Sequence, residues 1–370
     1  MSAAHESPAA SGVDGAGGRS TRAPALAPAL RGLEPGALDA WFTEHVPDCT
    51  GPLTAVLVQG GRSNLTYRVS DGRYDWIVRR PPLGGLTPSA HDVMREYRVM
   101  RALWNSGVAV PQTVAVCQDD RVIGAPFTVV SYVEGRVLRH RSDTEGMTPH
   151  QLCRCADALV AELARLHAVP PESVGLGDLG RPRGYVLRQL RRWRSQWDLV
   201  ATRPLPDLDR LHQALEESAP PESDEASLVH GDFRIDNTIL DRHDVGRVRA
   251  VVDWELSTLG DPLADLGMFL AYRSPVVDAL LGDPAATDPK FPAPLELAEQ
   301  YALLSGRDLT HLSFHLALAH FKIAVIAQGV AVREAGQGPP PGCRPGGAAS
   351  AVPELVRAGM ETLGLGVSTT

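Results

Sequence analysis

Apolar and polar positions follow two different periods along this chain, and the change from one to the other divides it. Between 53 and 132, short β-branched runs recur: LTAVLV at 53–58, LTYRV at 65–69, YDWIVRR at 74–80, a run at 111–116 and APFTVVSY at 125–132. Gly, Pro, Asn or Asp punctuate them, and each reads as a strand. One helix interrupts the series: across 91–104, Val93, Tyr97, Met100 and Trp104 recur at helical spacing. A shorter helix precedes the strands, with Leu38, Trp41 and Phe42 on one side and Pro47 as its stop.

Beyond 137 the helical period dominates. Leu152, Ala156, Leu159, Leu163 and Leu166 stripe one face of 151–167. From Tyr185 onward, Val186, Leu190, Trp193 and Trp197 form another apolar face. Helices are also predicted over 208–218, 296–305, 311–334 and 352–363, and one opens after the stretch from Thr258, with Asp261 as N-cap and Pro262 at its first position. His167 reads as a helix C-terminal cap. His311 and His315 are four apart but lack a third ligand, so they read as packed residues. Residues 1–30 hold few large apolar groups and are expected to be a disordered tail. The stretch 336–348, GQGPPPGCRPGGA, reads as a loop. The expected organisation is therefore a tail (1–30), a β-rich lobe (31–135) and a larger helical lobe (136–370).

Composition narrows the class. No uninterrupted apolar run of about 18 residues exists, so no membrane-spanning helix is expected, and the first residues lack the pattern of a signal peptide. The five Cys fall in no metal or redox spacing, which fits a reducing, cytoplasmic setting. A net charge of -8 gives no support to a nucleic-acid partner.

Inside the helical half, one segment breaks the period. Leu228 and Val229 end a strand, His230-Gly231-Asp232-Phe233-Arg234-Ile235-Asp236-Asn237 follow as a loop, and Thr238-Ile239-Leu240 return to apolar surroundings. A polar turn then leads to a strand over 248–252 that delivers Asp253. A His, several Asp and an Asn thus converge at strand ends. Phosphoryl transfer on Mg²⁺ uses such a set: one carboxylate takes a hydroxyl proton, while an Asn and a second carboxylate hold hard metal ions.

This segment resembles the aminoglycoside-phosphotransferase and choline-kinase-like branch of the protein-kinase-like fold, whose catalytic loop reads H-G-D-x-x-x-x-N and whose metal aspartate stands in x-x-D-W/F. The resemblance spans roughly 50–335 and implies an α+β bilobal fold, a small antiparallel β-sheet lobe over a mostly helical lobe. It makes Asp232 the catalytic base and Asn237 and Asp253 the Mg²⁺ ligands. It makes the Gly60, Gly61, Ser63 and Asn64 turn the cover of the ATP phosphates. Main chain at Ser131 and Val133 would read the adenine. The third strand of such kinases carries a Lys; here the cation is an Arg. Alternation puts Ile77 and Arg79 on one face and Arg80 on the other; Arg79 is the expected phosphate cation, paired with Glu96, and Arg80 the alternative. An Arg there, followed by Pro81-Pro82, is similar to the kinase-like domain fused to some acyl-CoA dehydrogenases.

Arg188, Arg191 and Arg192 share the polar face of the helix from Tyr185. They are a solvated face or an anion site for the acceptor. The expected activity is ATP- and Mg²⁺-dependent phosphorylation of a small, anionic alcohol, hydroxyacyl-CoA-like. Two alternatives stand. An aminoglycoside kinase would need an acid-lined acceptor site. A catalytically weak nucleotide-binding protein is favoured by the missing Lys. No D-F-G or A-P-E segment supports a protein kinase, and no G-x-S-x-G elbow supports a hydrolase.

Overall fold

The structure, a computed structural model, describes residues 30, 32–58, 64–83, 92–221, 226–337 and 345–366. The expected tail, apart from residue 30, and Gly60, Gly61 and Ser63 lie outside the described residues.

Helix α1 (Pro35–His45) precedes β1 (Thr54–Leu57), β2 (Leu65–Ser70) and β3 (Asp75–Arg80). Helix α2 (Val93–Leu103), β4 (Thr113–Cys117) and β5 (Phe127–Ser131) complete the small lobe. The five strands form one sheet, ordered β1-β2-β3-β5-β4 and antiparallel throughout. Its register places Tyr67 opposite Val78 and Arg68 opposite Ile77. Tyr67, Val69, Trp76 and Val78 therefore share a face, which is buried with Trp41 and Phe42 of α1. The Trp41 ring meets Phe127 edge-on at 4.7 Å and the Phe42 ring meets Trp76 at 5.6 Å. Burying each such ring contributes about 1.5–3 kcal/mol. The opposite face carries Ile77 and Arg79.

The large lobe contains α3 (Pro149–His167), α4 (Tyr185–Val200) and α5 (Pro206–Glu217), then β6 (Ser227–Val229), β7 (Thr238–Leu240), β8 (Val248–Val251) and β9 (Thr258–Gly260). After them come α6 (Pro262–Ala271), the single turn α7 (Asp278–Leu281), α8 (Pro294–Ser305), α9 (Leu312–Gln337) and α10 (Gly347–Thr362). The stretch expected to lead straight into a helix contains β9, which pairs with β6. Three residues show no period of their own; only pairing across the fold makes them a strand. At the ends of the expected loop 336–348, α9 reaches Gln337 and α10 starts at Gly347, while residues 338–344 lie outside the described residues.

By length and composition α9 could cross a membrane, but most of it is enclosed by protein. Its Phe314, Leu318, Phe321 and Ile323 are buried in one cluster with residues of α4, α5, α6 and α10. A separate core joins Val99, Met100 and Leu103 of α2 to Leu159, Leu163, Phe233 and Trp254 of the large lobe. Helix α2 is thus packed on both lobes, which sets where Glu96 stands.

Candidate active site

The loop after β6 is held by one buried carboxylate. Asp265 of α6 accepts the main-chain N–H of His230 at 2.5 Å and that of Gly231 at 2.8 Å. His167 Nε2 lies 3.3 Å from Asp265, and its Nδ1 lies 2.7 Å from the Tyr301 hydroxyl. Burial works against the Asp265 charge, yet His167 and these N–H groups outweigh it and hold its pKa below the ordinary value. His167 is therefore a buried brace on Asp265, where its position at a helix end suggested a cap. Gly231 has φ 87° and would place a Cβ 2.7 Å from the Leu256 carbonyl oxygen, so only glycine fits.

The His230 ring is fully buried between Phe233 and Trp254. Its Nε2 donates to the Val252 carbonyl at 3.1 Å, and its Nδ1 accepts the Asp232 N–H at 3.2 Å. Both ring nitrogens are thus committed to shaping the loop. Asn237 Nδ2 donates to the Asp232 carbonyl at 2.9 Å and to its carboxylate at 3.1 Å. The Val252 N–H donates to Asn237 O at 2.9 Å, so the β7–β8 hairpin sets Asn237 and Asp253 side by side. Asp253 itself has φ 73°, a left-handed backbone uncommon outside glycine. Burial raises the Asp232 pKa, against the pull of Arg234.

Arg234, unassigned by motif, is half-buried and paired with Asp236; its Nε lies 3.9 Å from Asp232 and its guanidinium lies over the Tyr272 ring at 4.8 Å. The pattern H-G-D-x-x-x-x-N treats its position as variable, which hides it in the sequence.

Across the cleft, Arg79, and not the alternative Arg80, faces Glu96 and Asp253. Its Nη1 pairs with Glu96, which is 1% exposed, and its Nη2 donates to Asp253 at 3.0 Å. Burial disfavours this guanidinium charge, but Glu96 and Asp253 outweigh it and raise its pKa. Arg80 points to the other face and donates to the carbonyls of Gly32 at 2.6 Å and Ile123 at 2.5 Å. Asn64 Nδ2 donates to Glu255 at 2.9 Å, a second bond between the lobes. A third comes from Arg95 of α2, whose Nε donates to the Ser257 carbonyl at 2.8 Å. Arg95 and Glu255 carry no motif signal.

Between the lobes, the Ser131 N–H donates to the Gln112 carbonyl at 2.8 Å and the Tyr132 N–H to the Asp75 carbonyl at 3.1 Å. Val133 follows two residues after Ser131. Gly135 passes so close to β7 that a Cβ would lie 2.5 Å from the Leu240 carbonyl oxygen.

The three arginines of α4 separate in the fold. Arg188 donates to the carbonyls of Arg181 and Arg183 and so ties the loop before its helix. Arg191 is exposed and donates to Leu187 O at 3.2 Å. Arg192 is exposed, with its guanidinium 5.9 Å from the Trp193 ring.

Residues 54–296 match the sequence model of the phosphotransferase enzyme family. Acyl-CoA dehydrogenase family member 11 from Gallus gallus is 38% identical over 313 residues, covering 81% of this chain and 40% of that protein. The chain thus spans about two-fifths of the length of such curated relatives. A solved structure from Ralstonia eutropha, named for the aminoglycoside phosphotransferases, is 32% identical with a TM-score of 0.74, covering 89% of this chain and 98% of its own. Spectinomycin phosphotransferase in complex with ADP and spectinomycin has a TM-score of 0.59 at 13% identity, covering 90% and 99%, a likeness of fold alone.

Proposed function

The chain belongs to the phosphotransferase enzyme family, and we propose that it moves the γ-phosphoryl group of ATP to the hydroxyl of a small anionic acceptor, a hydroxyacyl-type molecule. The observation that carries this reading is the convergence of Asp232, Asn237, Asp253 and the Arg79–Glu96 pair on one cleft between the lobes.

The residues fit Mg²⁺. Asn237 uses its amide N–H group on Asp232, leaving its amide oxygen as a hard ligand beside the Asp253 carboxylate. Mg²⁺ bound with nucleotide keeps waters and phosphate oxygens and needs only one or two protein carboxylates. That fits a site where, among the described residues, no cluster of three His, Cys, Asp or Glu forms a cage. Mg²⁺ held there would neutralise charge on the β- and γ-phosphates.

Each protein group then has a task. Arg79, with Glu96 behind it, presents its guanidinium to the phosphates. The Ser131 carbonyl and the Val133 main chain border the base, and Asn64 stands at the cleft, bonded to Glu255. Asp232 accepts the acceptor's hydroxyl proton. The acceptor oxygen bonds to the γ-phosphorus as the bridging oxygen leaves with its electron pair on ADP, and a phosphate monoester forms. Positioning and electrostatics supply most of the rate. His230 shapes the loop and takes no proton.

Arg192 on α4 favours an anion as acceptor. Aminoglycosides are polycations and call for an acid-lined site. The test measures ADP release with Mg²⁺ against hydroxy acids, hydroxyacyl-CoA thioesters and kanamycin, at low and moderate salt. We expect turnover of the anionic alcohols, with KM rising as salt screens the exposed arginine. Efficient turnover of kanamycin alone would return the protein to the antibiotic-kinase reading, and nucleotide binding without turnover of any alcohol would favour a non-catalytic role.

Arg79 and Arg80 give a paired prediction. Arg79→Ala is expected to weaken ATP binding by roughly tenfold or more, since a charge-assisted bond contributes about 1.5–3 kcal/mol. It also strands the buried Glu96, a change that costs about 3–5 kcal/mol for a broken buried pair. Arg80→Ala should lower the melting temperature without touching ATP affinity, because among the described residues Arg80 bonds to main-chain carbonyls on the face away from Asp253. The reverse pattern would reject Arg79 as the phosphate cation.

A further inference from the structure

We propose that Arg234 is the positioning residue of the base: its guanidinium, clamped by Asp236 and Tyr272, holds the Oδ2 oxygen of Asp232 so that Oδ1 faces the acceptor's hydroxyl. This rests on the phosphotransfer reading above and adds three side chains that no motif used there assigns.

Alternation along the loop brings these groups together. Phe233 and Ile235 are buried in the core that α2 and α3 also line. Asp232, Arg234 and Asp236 alternate with them and are left on the other side, each still partly exposed. The Asn237 N–H donates to the Arg234 carbonyl at 3.0 Å, which closes the turn Ile235–Asn237 and fixes the backbone that carries the charges. Arg234 Nη2 donates to Asp236. Its guanidinium carbon lies 4.8 Å from the centre of the Tyr272 ring, at the C-terminal end of α6, a cation–π contact. Tyr272 is buried. A guanidinium tied on one edge to a carboxylate and laid over a buried ring keeps little freedom to turn.

The edge left over is the Nε–H group. It is buried and, among the described residues, has no hydrogen-bond partner, which is rare for a buried donor. Asp232 Oδ2 lies 3.9 Å from it, an ion-pair contact that an approach of about 1 Å turns into a hydrogen bond. The same oxygen accepts Asn237 Nδ2 at 3.1 Å. Oδ2 is therefore the oxygen that the protein's own donors claim, and Oδ1 is left for the acceptor. A carboxylate swings about its last torsion, so a hold on Oδ2 sets the direction of Oδ1, and orientation of this kind carries much of the rate of a transfer between bound groups. The charges agree with this role. Asp232 and Asp236 stand in one loop as like charges, and Arg234 is the cation in contact with both. Burial works against the Arg234 charge, but Asp236 and Asp232 outweigh it and raise its pKa.

The test uses the full chain with ATP and Mg²⁺, ADP release in single turnovers as the readout, and the hydroxy acids and hydroxyacyl-CoA thioesters as acceptors, with water as the acceptor if none of them reacts. Arg234→Met is expected to lower kcat by roughly tenfold or more, the worth of one charge-assisted contact. KM for ATP and calorimetric ADP affinity should stay constant. Arg234→Lys should recover part of the loss, since it keeps the charge without the planar fork. The deciding comparison is made in Asp232→Asn. If Arg234 acts through the Asp232 carboxylate, Arg234→Met costs little more in that background. A merely structural arginine would lower the residual rate by the same factor in both backgrounds, and such additive losses overturn the proposal. So does an unchanged kcat, or a loss confined to KM for ATP. If Arg234→Met no longer binds ADP and has not folded, Asp236→Asn takes its place: it loosens the clamp and should lower kcat in the wild type but not in Asp232→Asn, and additive losses or none reject the clamp. The two readings fail differently. An Asp232→Asn that turns over like the wild type removes the base and the clamp with it, and a wild type that releases no ADP with any acceptor or water rejects phosphotransfer itself. An impaired Asp232→Asn with additive Arg234 losses rejects the clamp alone.

Discussion

Asp232→Asn is expected to lower turnover by roughly 10²–10⁴-fold, the usual contribution of a positioned general base, and to leave ADP binding intact. The substitution keeps the shape of the side chain. Its amide oxygen can still accept from Asn237, which now bonds both the main chain and the side chain of Asp232. The loop should therefore hold, anchored as it is by Asp265 and by His230. What disappears is the proton acceptor. The pH profile separates this from a positional defect. Burial raises the Asp232 pKa, and the base works only when deprotonated. The wild-type rate should thus fall as pH drops through a value above that of an ordinary Asp, about 3.9. The residual rate of Asp232→Asn should lack that limb. Steady-state rates across the acid range check both points, and unchanged turnover would remove Asp232 from the chemistry.

Asp253→Ala should abolish the Mg²⁺-dependent part of ATP affinity. Loss of a mere outer-shell partner costs a metal site roughly 10–100-fold, and Asp253 would be a direct, charged ligand. Two structural consequences must be kept apart from that effect. Arg79 loses a partner at 3.0 Å, and alanine must adopt the left-handed backbone seen at φ 73°. Asp253→Asn is the control, because asparagine tolerates this conformation and keeps an oxygen while losing the charge. Calorimetric titration of ATP with and without Mg²⁺ reads the outcome. Both variants should bind ATP with one affinity in either condition, whereas the wild type should bind more tightly with Mg²⁺. Equal affinities in the wild type would count against Asn237 as well.

Much of the site could be read along the chain because its parts are local. His230, Asp232 and Asn237 lie within one loop, and the hairpin that follows brings Asp253 beside them with no need of distant pairing. Strand alternation put Arg79 and Arg80 on opposite faces, since side chains on a pleated strand point alternately, and packing decided that Arg79 is the one that meets Asp253 while Arg80 bonds main-chain carbonyls. Glu96 beside an apolar helical stripe could likewise be matched to Arg79, and the periods of two and of nearly four separated a β-rich lobe from a helical one.

The tertiary structure decided what depends on groups far apart in sequence. His167 and Asp265 are separated by 98 positions; a helix-end histidine gives no sign that it will meet a buried carboxylate. Thr258–Gly260 became a strand only through pairing with Ser227–Val229. The arginines of α4 looked equivalent on one helical face, yet Arg188 ties a loop, Arg191 stays on its own helix and Arg192 sits by Trp193. Periodicity reports how a segment meets its immediate surroundings. Charge balance in a buried site is a property of several segments at once, so it appears only when they are packed together.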